Sequence, residues 1–371
     1  MKLQRIVLRK MVMPLKTPFQ TSFGSINVRT FIMVEAHGKD AIGYAEVSAE
    51  AIPQYNEECV GTAWHVMEKF LIPLLYQYSE KLNHPSEIAQ VFHSIKGNYL
   101  AKSGLENAVW DLYAKERNSS LSNILGGKKK EVEVGVSIGI QKDIPTLVSV
   151  IGNYIEEGYQ RIKLKIQPGW DINMVKEVRR HFPDTPLMVD ANSAYTLDDM
   201  DLLQQLDGFN LQMIEQPLAY NDIIDHSILQ QQLKTPICLD ESIHNVDDVR
   251  KALYLGSCQI INIKIGRVGG HYEAKRIHDF CEGNNIPVWC GGMLEAGIGR
   301  AHNIAISSLT NFTYPGDTSA SSRYWYEDII EPEVLTTPEG TIIVPEGPGI
   351  GYKVLHNVVD RYSDYVQTYR N

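Results

Sequence analysis

Five charged side chains recur at a nearly constant interval: Lys165, Asp190, Glu215, Asp240 and Lys264, separated by 25, 25, 25 and 24 residues. Each stands at the end of a short apolar run: RIKLKI, PLMVD, LQMIE, PICLD and QIINIK. Three acids in phase offer hard oxygen ligands, which suit Mg²⁺, with Mn²⁺ as the alternative; the nitrogen and sulfur ligands of a zinc site are missing. A single Asp at a strand end is more often a helix N-cap. Three in phase, flanked by lysines in phase, are poorly explained that way. Lys163 and Lys165 lie two apart on one strand and face the same side. An ammonium buried beside another cation is destabilised, so a lowered pKa and a proton-accepting amine are expected there. Lys264 comes from a later strand, across the metal. Two bases on opposite faces of one anchored carbon fit abstraction of a proton α to a carboxylate, with the cation neutralising the enediolate.

That arrangement needs a scaffold that brings many strand ends to one mouth. A five-residue apolar run followed by a helix-compatible segment is one βα unit, and its repetition predicts a parallel barrel with charges at the carboxyl ends of its strands. An open doubly wound sheet would carry a Gly-rich phosphate turn after its first strand, and VSIGIQKD is not one. The predicted fold class is α/β, a modified (β/α)₇β TIM barrel with an α+β capping domain. Residues 1–127 form the cap: strands at 4–13, 28–36 and 41–47, helices at 57–79 and 86–118, and a Gly-Gly stop at 126–127. Residues 128–319 form the barrel, with its last strand at 311–315. Residues 320–371 are a tail that packs back on the cap. Between the first two strands, residues 17–25 (TPFQTSFGS) carry Phe19 and Phe23. They read equally as a hairpin loop stapled by its aromatics or as a mobile lid over a substrate.

The totals exclude other classes. A chain of 371 residues with net charge −10 and 45 acidic residues is no candidate for nucleic-acid binding. Five cysteines without a C-x-x-C pair suggest neither a zinc cluster nor a disulfide framework. No signal peptide opens the chain and no apolar run reaches the ~20 residues of a membrane span, so a cytoplasmic enzyme is expected.

The motifs K-x-K at 163–165, D-A-N at 190–192, E-Q-P at 215–217, D-E-S at 240–242 and K-x-x-R-x-G-G at 264–270 resemble the enolase superfamily, muconate-lactonizing subgroup. GYQRIKLKIQPGWD, LMVDANSAYTL, WCGGMLEAGIGRAHN and SSRYW look like its o-succinylbenzoate synthase/N-succinylamino acid racemase family. The resemblance implies that Asp190, Glu215 and Asp240 bind Mg²⁺. It makes Lys165 the general base, with Lys163 against the substrate carboxylate. Lys264 faces the other side, stabilising the enediolate in dehydration and acting as second base in racemisation. It implies that Asn192 supports the metal or the substrate carboxylate. Ser137, Gly292 and Met293 would line the pocket under a lid bearing Phe19 and Phe23, with Arg267 and Glu241 behind the ligands. The implied reaction is Mg²⁺-dependent syn-dehydration of 2-succinyl-6-hydroxy-2,4-cyclohexadiene-1-carboxylate to o-succinylbenzoate, in menaquinone biosynthesis. N-succinylamino acid racemisation in the same site is the alternative, and a muconate-type cycloisomerase ranks below both. A non-catalytic metal-dependent binding barrel would lack one of the five charged residues, and none is missing. Two departures matter: Ile265 stands where close relatives often carry Pro, and residues 313–317 lack the Asp-x-Asp of dipeptide epimerases. The partners expected are a small carboxylate and further copies of the chain in a homo-oligomer.

Overall fold

The structure is a computed structural model that describes residues 2–21 and 24–371; Phe23 lies outside the described residues. The cap is a four-stranded antiparallel sheet covered by helices. Its order is Ser363–Arg370, Arg5–Thr21, Gly24–His37 and Ile42–Val47, so the last strand of the chain is an edge beside the first. The first two strands are longer than the sequence pattern suggests. Pairing resumes beyond a register shift between Pro14 and Phe19 and runs to Thr21 opposite Gly24. Pro14 and Pro18 cannot donate to the ladder, which is why the strand is irregular there. Residues 17–21 and 24–25 are therefore strand rather than loop. Helix Tyr99–Glu116 crosses the sheet and buries Leu105, Ala108, Val109 and Leu112 against Ile32, Val34 and Val47.

Seven parallel strands follow in strict sequence order: Val136–Ile138, Ile162–Lys165, Leu187–Asp190, Ile214–Glu215, Ile237–Leu239, Ile260–Ile263 and Val288–Cys290. Every residue of these strands is buried, as expected for a sheet covered on both faces. The connections are helices such as Ile144–Glu156 and His271–Gly283, with one exception. The expected helix over 197–206 is split into the short turns Leu197–Asp199, Met200–Leu203 and Gln204–Phe209. Only Leu203 and Leu206 are buried there, too narrow a stripe to hold a regular helix. Inside the curled sheet, Met188, Met213, Cys238, Ile260 and Trp289 form a separate apolar plug, so the barrel is packed rather than hollow.

The eighth strand does not form as a ladder. Phe312 bridges Val288 and Gly316 bridges Val134, and the segment between them carries Pro315, which has no N–H to donate. Hydrogen bonds from Thr313 N to Val288 O (3.0 Å), Asp317 N to Cys290 O (2.9 Å) and Gly135 N to Gly316 O (2.7 Å) tie the last strand to the first. Among the described residues, no helix is long and apolar enough to cross a membrane.

Candidate active site

Strand register sets the geometry. Lys165 pairs with Asp190, and Asp190 with Glu215, so three of the five charges share one rung of the sheet. Glu215 pairs with Cys238, which places Asp240 two residues higher and on the same face. Lys264 directly follows strand Ile260–Ile263, four strands from the Lys163/Lys165 strand. Asp190, Glu215 and Asp240 are all but fully buried, at 1%, 0% and 0% exposure, and such charges require partners.

The partners are cationic. Lys165 Nζ lies 2.6 Å from Asp190 Oδ2 and also donates to Asn192 Oδ1 at 2.5 Å. Lys163 Nζ lies 3.0 Å from Glu215 Oε2, 3.3 Å from Asp190 Oδ2 and 2.6 Å from Asp317 Oδ2. Lys264 Nζ donates to Asp240 Oδ2 (2.7 Å) and to the Tyr55 hydroxyl (3.0 Å). Arg267 donates to Asp240 Oδ1, and its other nitrogens are fixed on Ile243 O (2.7 Å) and Asn262 O (2.6 Å). Asn192 donates in turn to Glu241 Oε1 at 2.9 Å. It reaches both neighbours from a left-handed backbone (φ 42°, followed by Ser193 at 63°), a strained turn of the kind found at ligand sites. Gly291 is required for space: a Cβ there would fall 2.4 Å from Asn262 Oδ1 and 2.8 Å from Lys264 Cε.

The electrostatics correct one expectation. Burial alone would lower Lys163, but Asp317, Glu215 and Asp190 outweigh it and raise the lysine above its ordinary value. Lys264 is likewise raised, since Tyr55, Glu241 and Glu215 overcome its burial. Neighbouring carboxylates, not the second lysine, dominate the field. Burial also opposes ionisation of Asp190, yet Lys165 and Lys163 hold it well below the carboxylate range. Glu215, buried and beside Asp190, is pushed up.

A cavity of about 60 Å³ opens onto this cluster, lined by Lys163, Lys165, Lys264, Ser137, Gly292 and Phe19 among others. Phe19 meets Tyr324 edge to face at 6.2 Å, so the cap supplies an apolar wall. Met293 is buried but does not line this cavity; its N–H is held by Glu295 Oε2 at 2.8 Å. Asn192 and Glu241 line an adjoining cleft of about 460 Å³ with Tyr55. Sequence patterns do not single out Tyr55, Glu295, Tyr324 or Asp317. For Asp317 a signal existed: it ends the barrel's closing segment, the position type that singled out the other acids. Tyr55 comes from the cap and leaves no such trace.

The donors at the mouth are all oxygen and all buried, which fits a hard divalent cation. They do not sit as close as the His278, Asp279 and Glu282 atoms, which among the described residues form a group within 4.8 Å. That surface group is nonetheless committed: His278 Nδ1 meets Asp279, its Nε2 accepts from Asn311 N (2.9 Å), and Lys275 pairs with Asp279 (2.8 Å). In the barrel, the acid oxygens are turned onto lysines and Arg267 instead of onto one another. Exchange of ammonium groups for a cation is chemically open there.

The sequence matches "Mandelate racemase / muconate lactonizing enzyme, N-terminal domain" over residues 4–126 and "Enolase C-terminal domain-like" over residues 147–358. It is 57% identical to an o-succinylbenzoate synthase of Geobacillus kaustophilus, covering 99% of this chain and 97% of that protein. It is 45% identical to an N-succinylamino acid racemase of Thermus thermophilus, covering 97% of each. An enolase superfamily member from Listeria innocua superimposes with a TM-score of 0.96 at 44% identity, over 100% of this chain and 99% of that one. The chain belongs to the enolase superfamily, in the family of the o-succinylbenzoate synthases and N-succinylamino acid racemases.

Proposed function

We propose that this chain is an o-succinylbenzoate synthase that works by α-proton abstraction, with a divalent cation, Mg²⁺ or Mn²⁺, held by Asp190, Glu215 and Asp240. The observation that carries the reading is that Lys165 and Lys264, four strands apart, both reach one cavity beside three buried acids. When bound, the cation takes over the carboxylate charge that the lysines now share, and so supplies the positive potential that acidifies the substrate's α-carbon. Lys163, kept cationic by its carboxylates, binds the substrate carboxylate. Lys165 takes the proton from the carbon α to that carboxylate, breaking C–H. Lys264, also cationic, faces the enediolate oxygens from the far side. Expulsion of the ring hydroxyl then breaks C–O. Lys165 returns its proton to the departing oxygen on the same face, so water leaves and the ring becomes aromatic. The route this product serves is menaquinone synthesis, in the cytosol.

The same first step supports N-succinylamino acid racemisation, and one observation favours it as a second activity: Lys264 is in reach of the cavity and can return a proton to the opposite face. The test is α-hydrogen exchange of an N-succinyl amino acid in D₂O, together with turnover of the cyclohexadiene substrate. Lys165→Ala lowers dehydration by about 10³-fold or more, and chelation silences both reactions until Mg²⁺ is restored. Lys264→Ala abolishes racemisation. Inversion at the wild-type rate in that variant sinks the two-base assignment.

A further inference from the structure

We propose that Asp317 is a positioning residue that holds the Lys163 ammonium where it meets the substrate carboxylate; this rests on the reading above, in which Lys163 makes that contact. Lys163 has three carboxylate neighbours. Asp190 and Glu215 belong to the set proposed to hold the cation, and Asp317 does not. It is also the nearest of the three, at 2.6 Å against 3.0 and 3.3 Å. Once a dication draws on Asp190 and Glu215, their hold on the ammonium weakens, and Asp317 is the partner that remains.

Asp317 is built to stay in place. Its Oδ1 accepts from Arg161 Nη2 at 2.7 Å, and its main-chain N–H is bonded to Cys290 O at 2.9 Å. Arg161 is fully buried, donates twice to Pro315 O (2.9 and 3.2 Å), and lies 4.8 Å over the Trp289 ring. Gly135 leaves the room: a Cβ there would fall 2.7 Å from Arg161 Nε. The Lys163 ammonium rests over the same ring at 4.8 Å. A rigid guanidinium thus fixes one carboxylate oxygen, and the other faces the cavity and carries the lysine. Asp317 is paired with Lys163 and Arg161 rather than with the Lys165 or Lys264 ammonium, so the device acts on substrate binding more than on proton transfer.

The test is a double-mutant cycle read by calorimetric binding of o-succinylbenzoate to the Mg²⁺-loaded protein. Asp317→Asn weakens binding about tenfold, as expected when a charge-assisted contact is misplaced. It raises KM more than it lowers kcat. In the Lys163→Ala background the same change has no further effect on binding. An equal loss in both backgrounds, or no loss in the first, overturns the proposal as a merely structural role or none. If Lys163→Ala alone leaves product binding unchanged, the parent reading of Lys163 fails and this one falls with it. Asp317→Ser serves in the same cycle if the Asn variant does not fold.

Discussion

Two sets of buried carboxylates in this protein, at the barrel mouth and at the seam of cap and barrel, are satisfied in opposite ways. At the barrel mouth, Asp190, Glu215 and Asp240 lean on ammonium and guanidinium groups. Where the cap meets the barrel, acids lean on backbone N–H groups at helix starts. Glu46, from the cap sheet, accepts from Gly299 N (2.7 Å) and Ala296 N (3.0 Å) at the start of Gly297–Ser307. Glu106, from the cap helix, accepts from His271 N (2.6 Å) and Tyr272 N (3.0 Å) at the start of His271–Gly283. A helix terminus cannot withdraw its N–H groups, so those acids are fasteners. A lysine can swing away, so the mouth acids remain available to another cation. The fasteners clamp the two helices that follow Lys264 and the Gly291–Gly292 wall, so the fixed region aims the exchangeable one.

Three substitutions test this contrast. Glu215→Gln has the largest effect: kcat/KM falls by about 10³-fold or more, because the proposed cation site loses one of its three acids. Its melting temperature, read by calorimetry, stays level or rises, since burial and Asp190 already oppose ionised Glu215. A marked fall in melting temperature would make the mouth acids structural like the others. Glu46→Ala does the reverse. It strips two N–H groups of their acceptor and destabilises the fold by about 2 kcal/mol in denaturant titration. Its kcat/KM measured on the folded fraction stays within about tenfold of wild type.

The smallest effect is in pH dependence. Burial, only partly offset by the Gly299 N–H, pushes Glu46 up to about 8 from 4.5. A folded-state value above the unfolded one means the native state binds the extra proton, so stability falls as pH rises between these two values. Glu46→Gln removes that dependence. The variant should therefore gain on wild type, by a few degrees in melting temperature, between pH 5 and pH 8. A constant difference across that range would mean that Glu46 is ionised in the fold throughout.

The barrel and its acids were legible because one device repeats: an apolar strand ending in a charge, every 25 residues or so, places Lys165, Asp190 and Glu215 on one rung. Contacts made once across the fold were not. Tyr55 reaches Lys264 from 209 positions away, and Asp317 reaches the site through a segment that Pro315 keeps from pairing regularly. The direction of the Lys163 pKa was misjudged because the adjacent lysine is visible in sequence, whereas Asp317 beside Lys163 is not. Strand pairing beyond Pro14 was missed because residues 17–25 read as a hairpin loop or a lid, whereas Phe19–Thr21 pairs with the strand that starts at Gly24.

The pairing of Arg5–Thr21 with Ser363–Arg370 has a consequence for synthesis. The strand that carries Phe19 keeps one edge open until Ser363–Arg370 has been made, ~20–70 s later at 5–20 residues per second. An unpaired edge is a template for other chains. Truncation of the last eight residues should thus show itself first as clumping of the newborn protein, before any slowing of its chemistry.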